Sequence, residues 1–167
     1  MLETRVESCA RSTSETGLRR DLALYTPDAD GISPIARYAE PCIGDASEDE
    51  RLVLEAMGQA RFSVFEITGR HSQAGMMAKD LGTGEEIWVM DLGLERTAPR
   101  FLKVAMRLIQ PLDFWMSTGV AVLMDDPRIW RVLERDHSIR LTKDKLVVPD
   151  RHLLAEIIFK VVISPLL

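Results

Sequence analysis

The apolar positions of the chain follow a helical spacing first and a strand spacing afterwards. Apolar residues recur every three to four positions in segments 18–25, 34–39 and 48–60, as they do on one face of a helix. Ser33-Pro34 is a typical helix start, and Ser47-Glu48-Asp49-Glu50 has the pattern of a capping box. The N-terminal part is therefore predicted to be helical.

The period changes to two at Arg61, which is the spacing of β-strands. The turn-forming residues Gly, Pro and Asp separate five such segments, which are 61–68, 74–80, 85–91, 101–110 and 114–124. Their short links predict an antiparallel meander that curls into a small β-barrel. The fourth segment alternates less cleanly and also fits a helix, although the turn signals on both sides favour a strand.

Helical spacing returns near the C-terminus. Asp126-Pro127 predicts a helix start, with Asp as the cap and Pro at the first helical position. Segment 139–148 is polar and Lys-rich, and its structure stays ambiguous. Asp150 is the predicted cap of a final helix that ends before Pro165.

These elements predict one α+β domain over residues 1–167, a length that fits a single domain. It consists of a helical part (1–60), a small five-stranded antiparallel β-barrel (61–124) and a second helical part (125–167). Residues 1–17 show little periodicity and are predicted to form an extended start. Helices thus flank the barrel at both ends.

The final helix carries an unusually wide apolar stripe, which must be buried either on the barrel or against a partner. If a partner covers it, the interface candidates are Leu153, Leu154, Ile157, Ile158 and Val161. This stripe motivates the first functional hypothesis, a non-catalytic protein-binding or adaptor module that could form a homodimer through this helix.

The net charge of −5 is concentrated in one part of the chain. Residues 1–60 have 6 Lys and Arg against 12 Asp and Glu, whereas segment 61–124 is neutral and segment 125–167 has a charge of +1. A nucleic-acid-binding protein usually has a concentrated basic face, which this distribution does not predict. Nucleic-acid binding stays as an alternative hypothesis because small five-stranded barrels often have that function.

The cysteine count and the apolar segments argue against disulfide-rich, zinc-binding, secreted and membrane-spanning proteins. Cys9 and Cys42 are too few for a disulfide framework or a zinc site, and we predict no metal or cofactor. The start of the chain lacks the apolar core of a signal peptide. The apolar segment 153–167 is short and contains Glu156 and Lys160, so no membrane span is expected and the predicted location is cytoplasmic.

The strands also carry a family resemblance. The motif D-L-G-T-G-E-E-I-W-V within 75–91, together with R-F-S-V-F-E-I (61–67) and R-L-I-Q-P-L-D-F-W (107–115), resembles a barrel region of uncharacterised bacterial proteins. Some of those proteins join the region to a cysteine-containing SEC-C zinc motif, which has no counterpart here. The resemblance implies a small barrel and supplies no activity. The chain departs from these similar segments before the fourth strand, where it has Pro99-Arg100 and they often have Gly.

The densest polar group surrounds the second predicted hairpin and contains Asp80, Glu85, Glu86 and Asp91. Paired carboxylates can act as acid and base or hold a cation, which gives the third hypothesis, an enzyme. Hairpin ends are also charged simply because they face water. Asp80 in particular is expected to accept hydrogen bonds from the backbone of its own turn.

Two further groups are candidates for binding. Arg70 and His71 lie in a predicted loop between strands and could hold an anion. Aromatic residues could stack the bases of a single-stranded nucleic acid or simply fill the barrel core. These residues are Trp88, Trp115, Trp130, Phe62, Phe65, Phe101 and Phe114.

Overall fold

The computed structural model describes residues 15–136, 138–142, 145–148 and 150–164 of the chain. Most of the extended start predicted for the first 17 residues lies outside this description, and the described part of it, residues 15–17, is helical instead of extended. Pro165, the predicted end of the last helix, also lies outside the described residues. No helix in the described part of the chain is both long enough and apolar enough to cross a bilayer.

In the described part of the chain, three helices precede the sheet, as the apolar spacing predicts. They are α1 (Glu15–Tyr25), α2 (Pro34–Cys42) and α3 (Glu48–Gly58). Both predicted caps are confirmed, because Ser33 accepts a hydrogen bond from the N–H of Ala36 and Ser47 forms a complete capping box with Glu50. Pro41 does not end α2 but lies inside its last turn.

Five strands form a sheet that closes in a ring in the order β1-β2-β3-β5-β4. They are β1 (Arg61–Arg70), β2 (Met76–Asp80), β3 (Glu86–Met90), β4 (Lys103–Ile109) and β5 (Trp115–Leu123). The strand prediction for the ambiguous fourth segment is confirmed, and the helical alternative is wrong. The ring closes because the long β1 pairs with β4 along its first half and with β2 along its second.

The prediction of an all-antiparallel meander is wrong at one pair of strands. β3 and β5 run parallel, with Val89 opposite Trp115. The cause is a short helix that the strand spacing did not predict, α4 (Leu92–Thr97), between β3 and β4. Asp91 caps it through hydrogen bonds from the N–H groups of Gly93 and Leu94. Because the chain does not turn directly back after β3, β5 becomes the neighbour of β3.

The C-terminal part adds helix α5 (Pro127–Arg135), a hairpin of β6 (Arg140–Thr142) and β7 (Lys145–Val147), and helix α6 (Arg151–Ile163). The predicted caps Asp126 and Asp150 are confirmed, since both accept backbone hydrogen bonds at the helix starts. The ambiguous segment is thus a small two-stranded sheet.

Two apolar cores share strand β1. One fills the inside of the ring and includes Phe65 and Ile67 of β1. The other lies outside it, where Phe62 and Val64 pack against the helices. This alternation follows from strand geometry, because successive side chains point to opposite faces.

The apolar stripe of α6 belongs to the outer core. Leu154, Ile158 and Val161 are buried there, while Leu153 and Ile157 are partly buried. Phe159 makes an edge contact with Phe62 of β1, with ring centroids 5.3 Å apart. The outer core of the same chain therefore includes Leu154, Ile158 and Val161 and packs against Ile157, so it takes up four of the five residues on which the interface prediction depended.

Candidate functional site

Three aromatic rings from three separate elements meet on the outside of the ring-shaped sheet. The imidazole of His71, in the loop after β1, stacks on the indole of Trp88 in β3, with centroids 4.1 Å apart and planes at 22°. The ring of Phe114, in the loop before β5, lies 5.5 Å from Trp88 at 59°. We call His71, Trp88 and Phe114 the aromatic platform. All three side chains are only partly buried, so the platform faces solvent.

Hydrogen bonds hold the platform in place. The indole Nε1 of Trp88 donates to the carbonyl of Ala74 at 2.7 Å, which ties β3 to the loop after β1. The N–H of His71 donates to the carbonyl of Gly75 at 3.1 Å and closes that loop. Gly75 has φ of +76°, and a Cβ there would overlap the carbonyl oxygen of Val89. The loop therefore lies so close to β3 that only glycine fits at this position.

The charges around the platform nearly balance. Arg70 is exposed at the end of β1, next to His71. On the neighbouring strands, Lys79 lies opposite Glu66 of β1 and Glu86 of β3 in the sheet register. The hydroxyl of Thr68 also donates to Glu86 at 2.7 Å. Arg70, in contrast to Lys79, does not lie opposite a carboxylate, because its partner in the sheet register is Met76.

Asp80 lies inside the molecule, in contrast to its predicted position at a solvated hairpin end. Its side chain is 0% exposed and accepts hydrogen bonds from the hydroxyl of Ser63 at 2.5 Å and the N–H of Gly82 at 2.7 Å. The second bond confirms the expected turn contact. The guanidinium groups of Arg61 and Arg151 lie 3.5 and 3.7 Å from Oδ2. Within the described residues Oδ2 accepts no hydrogen bond, so both contacts are ionic.

The other three carboxylates of the candidate group have separate partners. Glu85 is exposed and pairs with Arg61 at 2.9 Å, and Glu86 faces Thr68 on the outer surface. Asp91 caps α4 and accepts a hydrogen bond from Ser117 at 2.6 Å. The four carboxylates thus do not converge on one point as an acid–base pair would require. Among the residues that the structure describes, no group of three or more His, Cys, Asp or Glu could hold a metal ion.

A buried ion pair that the sequence reading missed joins α1 to β4. Arg107 is 1% exposed and donates from Nε and Nη2 to the carboxylate of Asp21 at 2.9 to 3.0 Å. The ring of Tyr25 lies 4.4 Å from the guanidinium carbon. Burial raises the pKa of Tyr25, and the nearby Asp21 raises it further. The signal in the sequence was an arginine within the apolar run of β4.

The aromatic residues divide between the two roles that the sequence left open. Trp88 and Phe114 join the platform with His71, which had been considered only as an anion ligand. Phe62 and Phe65 are core residues. The remaining aromatic candidates pack beside the cores or stand apart on the surface, namely Trp115, Trp130 and Phe101.

Comparison with known proteins identifies a family whose function is unknown. A search of curated proteins and a search of solved structures each found no match. The model of a family described as "Family of unknown function (DUF7986)" matches residues 2–144. These residues include the whole ring-shaped sheet, with the aromatic platform and the buried Asp80. Since the match covers most of the chain, the protein belongs to this family of unknown function.

Proposed function

We propose that the protein is a binding module that holds single-stranded nucleic acid on the aromatic platform. The observation that carries this proposal is the convergence of His71, Trp88 and Phe114 from two loops and a strand. Aromatic rings at the surface of a sheet can stack on successive bases, with about 1–3 kcal/mol per base. A hydrogen bond fixes the Trp88 ring beforehand, which lowers the entropic cost of binding.

The strand order supports the same proposal. A closed five-stranded sheet with order β1-β2-β3-β5-β4, a long shared β1 and a helix after β3 has the arrangement of an OB-type barrel. Such barrels bind oligonucleotides or oligosaccharides on the face of strands 2 and 3 and on the loops after strands 1 and 4. The platform consists of one residue from each of these two loops and one from β3. The fold supports this function by analogy, and the three rings lie where such barrels bind their ligands.

The charges around the platform predict how strong the binding is and how it depends on salt. With few unpaired cations at the platform, stacking rather than counterion release supplies most of the affinity. We therefore expect dissociation constants in the range of non-specific complexes, about 10⁻⁴ to 10⁻⁶ M, with a shallow dependence on salt. Unpaired bases should bind better than a duplex, because the bases of a duplex already stack on each other.

The other two hypotheses receive less support. The protein-partner hypothesis rested on the apolar stripe of α6, which packs on this chain's own sheet, so it needs another surface. The enzyme hypothesis required converging carboxylates, whereas Asp80 is enclosed and Glu86 lies on the outer surface with Thr68. The platform is therefore the better-supported site.

Fluorescence anisotropy with labelled single-stranded DNA and RNA of about 12 nucleotides tests the proposal, since one such barrel contacts roughly 4–16 nucleotides. We expect saturable binding that His71→Ala or Phe114→Ala each weakens about 5- to 150-fold, the equivalent of one lost stacking contact. Tyr38→Ala is the matched control, because Tyr38 is an exposed ring on α2 outside the platform. Circular dichroism checks that each variant is folded.

Two results would contradict the proposal. One is a flat titration at low salt with folded protein. The other is binding that the platform variants and Tyr38→Ala weaken equally, since the rings would then have no special role.

A further inference from the structure

The second candidate surface is a groove between α2 and α3, far in sequence from the platform. It encloses about 630 Å³. Apolar side chains from both helices line it, among them Tyr38, Val53 and Leu54. Carboxylates form its rim, at Asp45, Asp49 and Glu50. We call this surface the acidic groove.

The apolar part of the acidic groove is unusually exposed. Tyr38 is 61% exposed and Val53 is 41% exposed, although both are on helices whose opposite faces are buried. Single exposed apolar residues are common, but these two flank one concave surface. Exposed apolar residues with a polar rim are typical of a protein-binding site.

The rim has one sign of charge. Among the described residues that line the groove, none is basic and three are acidic. The hydroxyl and the N–H of Ser47 both donate to Glu50, and these bonds lower the pKa of Glu50, so it remains negative. The closest basic residue on α2, Arg37, is paired with Asp28 on the preceding loop. Arg51 on α3 is exposed but is not among the lining residues. The described lining of the groove is therefore apolar and acidic.

We propose that the acidic groove binds a basic amphipathic helix of a partner protein. A helix in a groove places apolar side chains at every third or fourth position onto the floor, and its flanking Lys or Arg residues would face Asp45 and Asp49. The charge selects this partner over a nucleic acid, whose phosphates the rim would repel. The platform and the groove would then take different partners at the same time.

Titration of the ¹⁵N-labelled protein with two synthetic peptides tests this proposal by NMR. One peptide is a Leu- and Lys-based amphipathic helix, and the other has the same sequence with Glu in place of each Lys. We expect the basic peptide to shift amide signals mainly within residues 38–54 and the acidic peptide to shift none. Added salt should weaken the complex.

Variants separate the groove from general charge attraction, because the whole chain has a net charge of −5. Asp45→Asn with Asp49→Asn should weaken binding about 2- to 20-fold, and Tyr38→Ala more than about fivefold. Glu85→Gln removes an exposed carboxylate from the connection between β2 and β3 and should leave the peptide affinity unchanged. His71→Ala should also leave it unchanged, so a failed groove and a failed platform are distinguishable.

The proposal is overturned if both peptides bind equally, if the shifted signals lie elsewhere, or if Glu85→Gln weakens binding as much as the groove variants. No saturable shift with either peptide in folded protein would overturn it as well.

Discussion

At the scale of residues, the ion pair between Asp21 and Arg107 connects two parts of the chain that are 86 positions apart. Removing both charges from water is costly, and a bidentate contact recovers much of that cost only while both partners are present. The rings of Tyr25 and Phe62 also lie close to the guanidinium carbon, with centroids at 4.4 and 5.3 Å. The pair thus makes the position of α1 on the sheet specific.

We therefore expect Asp21→Asn to lower the free energy of unfolding by about 3–5 kcal/mol, because Arg107 would stay buried without its counterion. Urea denaturation followed by circular dichroism measures this loss. Glu15→Gln is the control in the same helix, since Glu15 pairs with Arg19 in an exposed contact, and its urea midpoint should stay close to that of the parent protein. Equal midpoints for the two variants would contradict the role of the buried pair.

At the scale of elements, local features were predictable and strand neighbours were not. The caps at Ser47, Asp126 and Asp150 depend on atoms within a few residues, and each is confirmed. The parallel pairing of β3 with β5 depends on where the chain goes between them, and no local spacing encodes that. The platform was missed for the same reason, because His71 meets Trp88 only after the sheet has formed.

Two glycine substitutions test whether the close approach of the His71 loop to β3 contributes to stability. Gly75→Ala should lower the free energy of unfolding by more than about 1 kcal/mol, because its φ is +76° and an added methyl group would overlap Val89. Gly84→Ala is the matched control, since it has a φ of +84° but no heavy atom within 4 Å of the added carbon. Urea denaturation of both variants compares backbone strain with and without the overlap.

A clearly larger loss for Gly75→Ala is the expected outcome, together with weaker nucleic-acid binding at the platform. If the two variants lost the same stability, the close approach of the loop to β3 would have no energetic effect.

At the scale of the whole molecule, β1 connects the two cores. Its residues alternate between the inside of the ring and the outer core, so neither core can open without exposing a face of this strand. Helix α6 packs on β1 and α5, and α1 reaches the sheet through Asp21. For a chain with two cores connected in this way, we expect a single cooperative unfolding transition.

Phe159→Ala tests this cooperativity, because Phe159 is fully buried and belongs to the outer core and not to the core inside the ring. The lost packing should lower the free energy of unfolding by about 3–5 kcal/mol. In urea titrations followed by NMR, amide signals of β2 and β3 should disappear at the same lowered midpoint as those of α6. Val147→Ala, at an exposed position, is the control with little expected effect. Should the strand signals keep the parent midpoint while α6 alone melts, the helices and the ring would be separate folding units, and the platform could then be studied without α6.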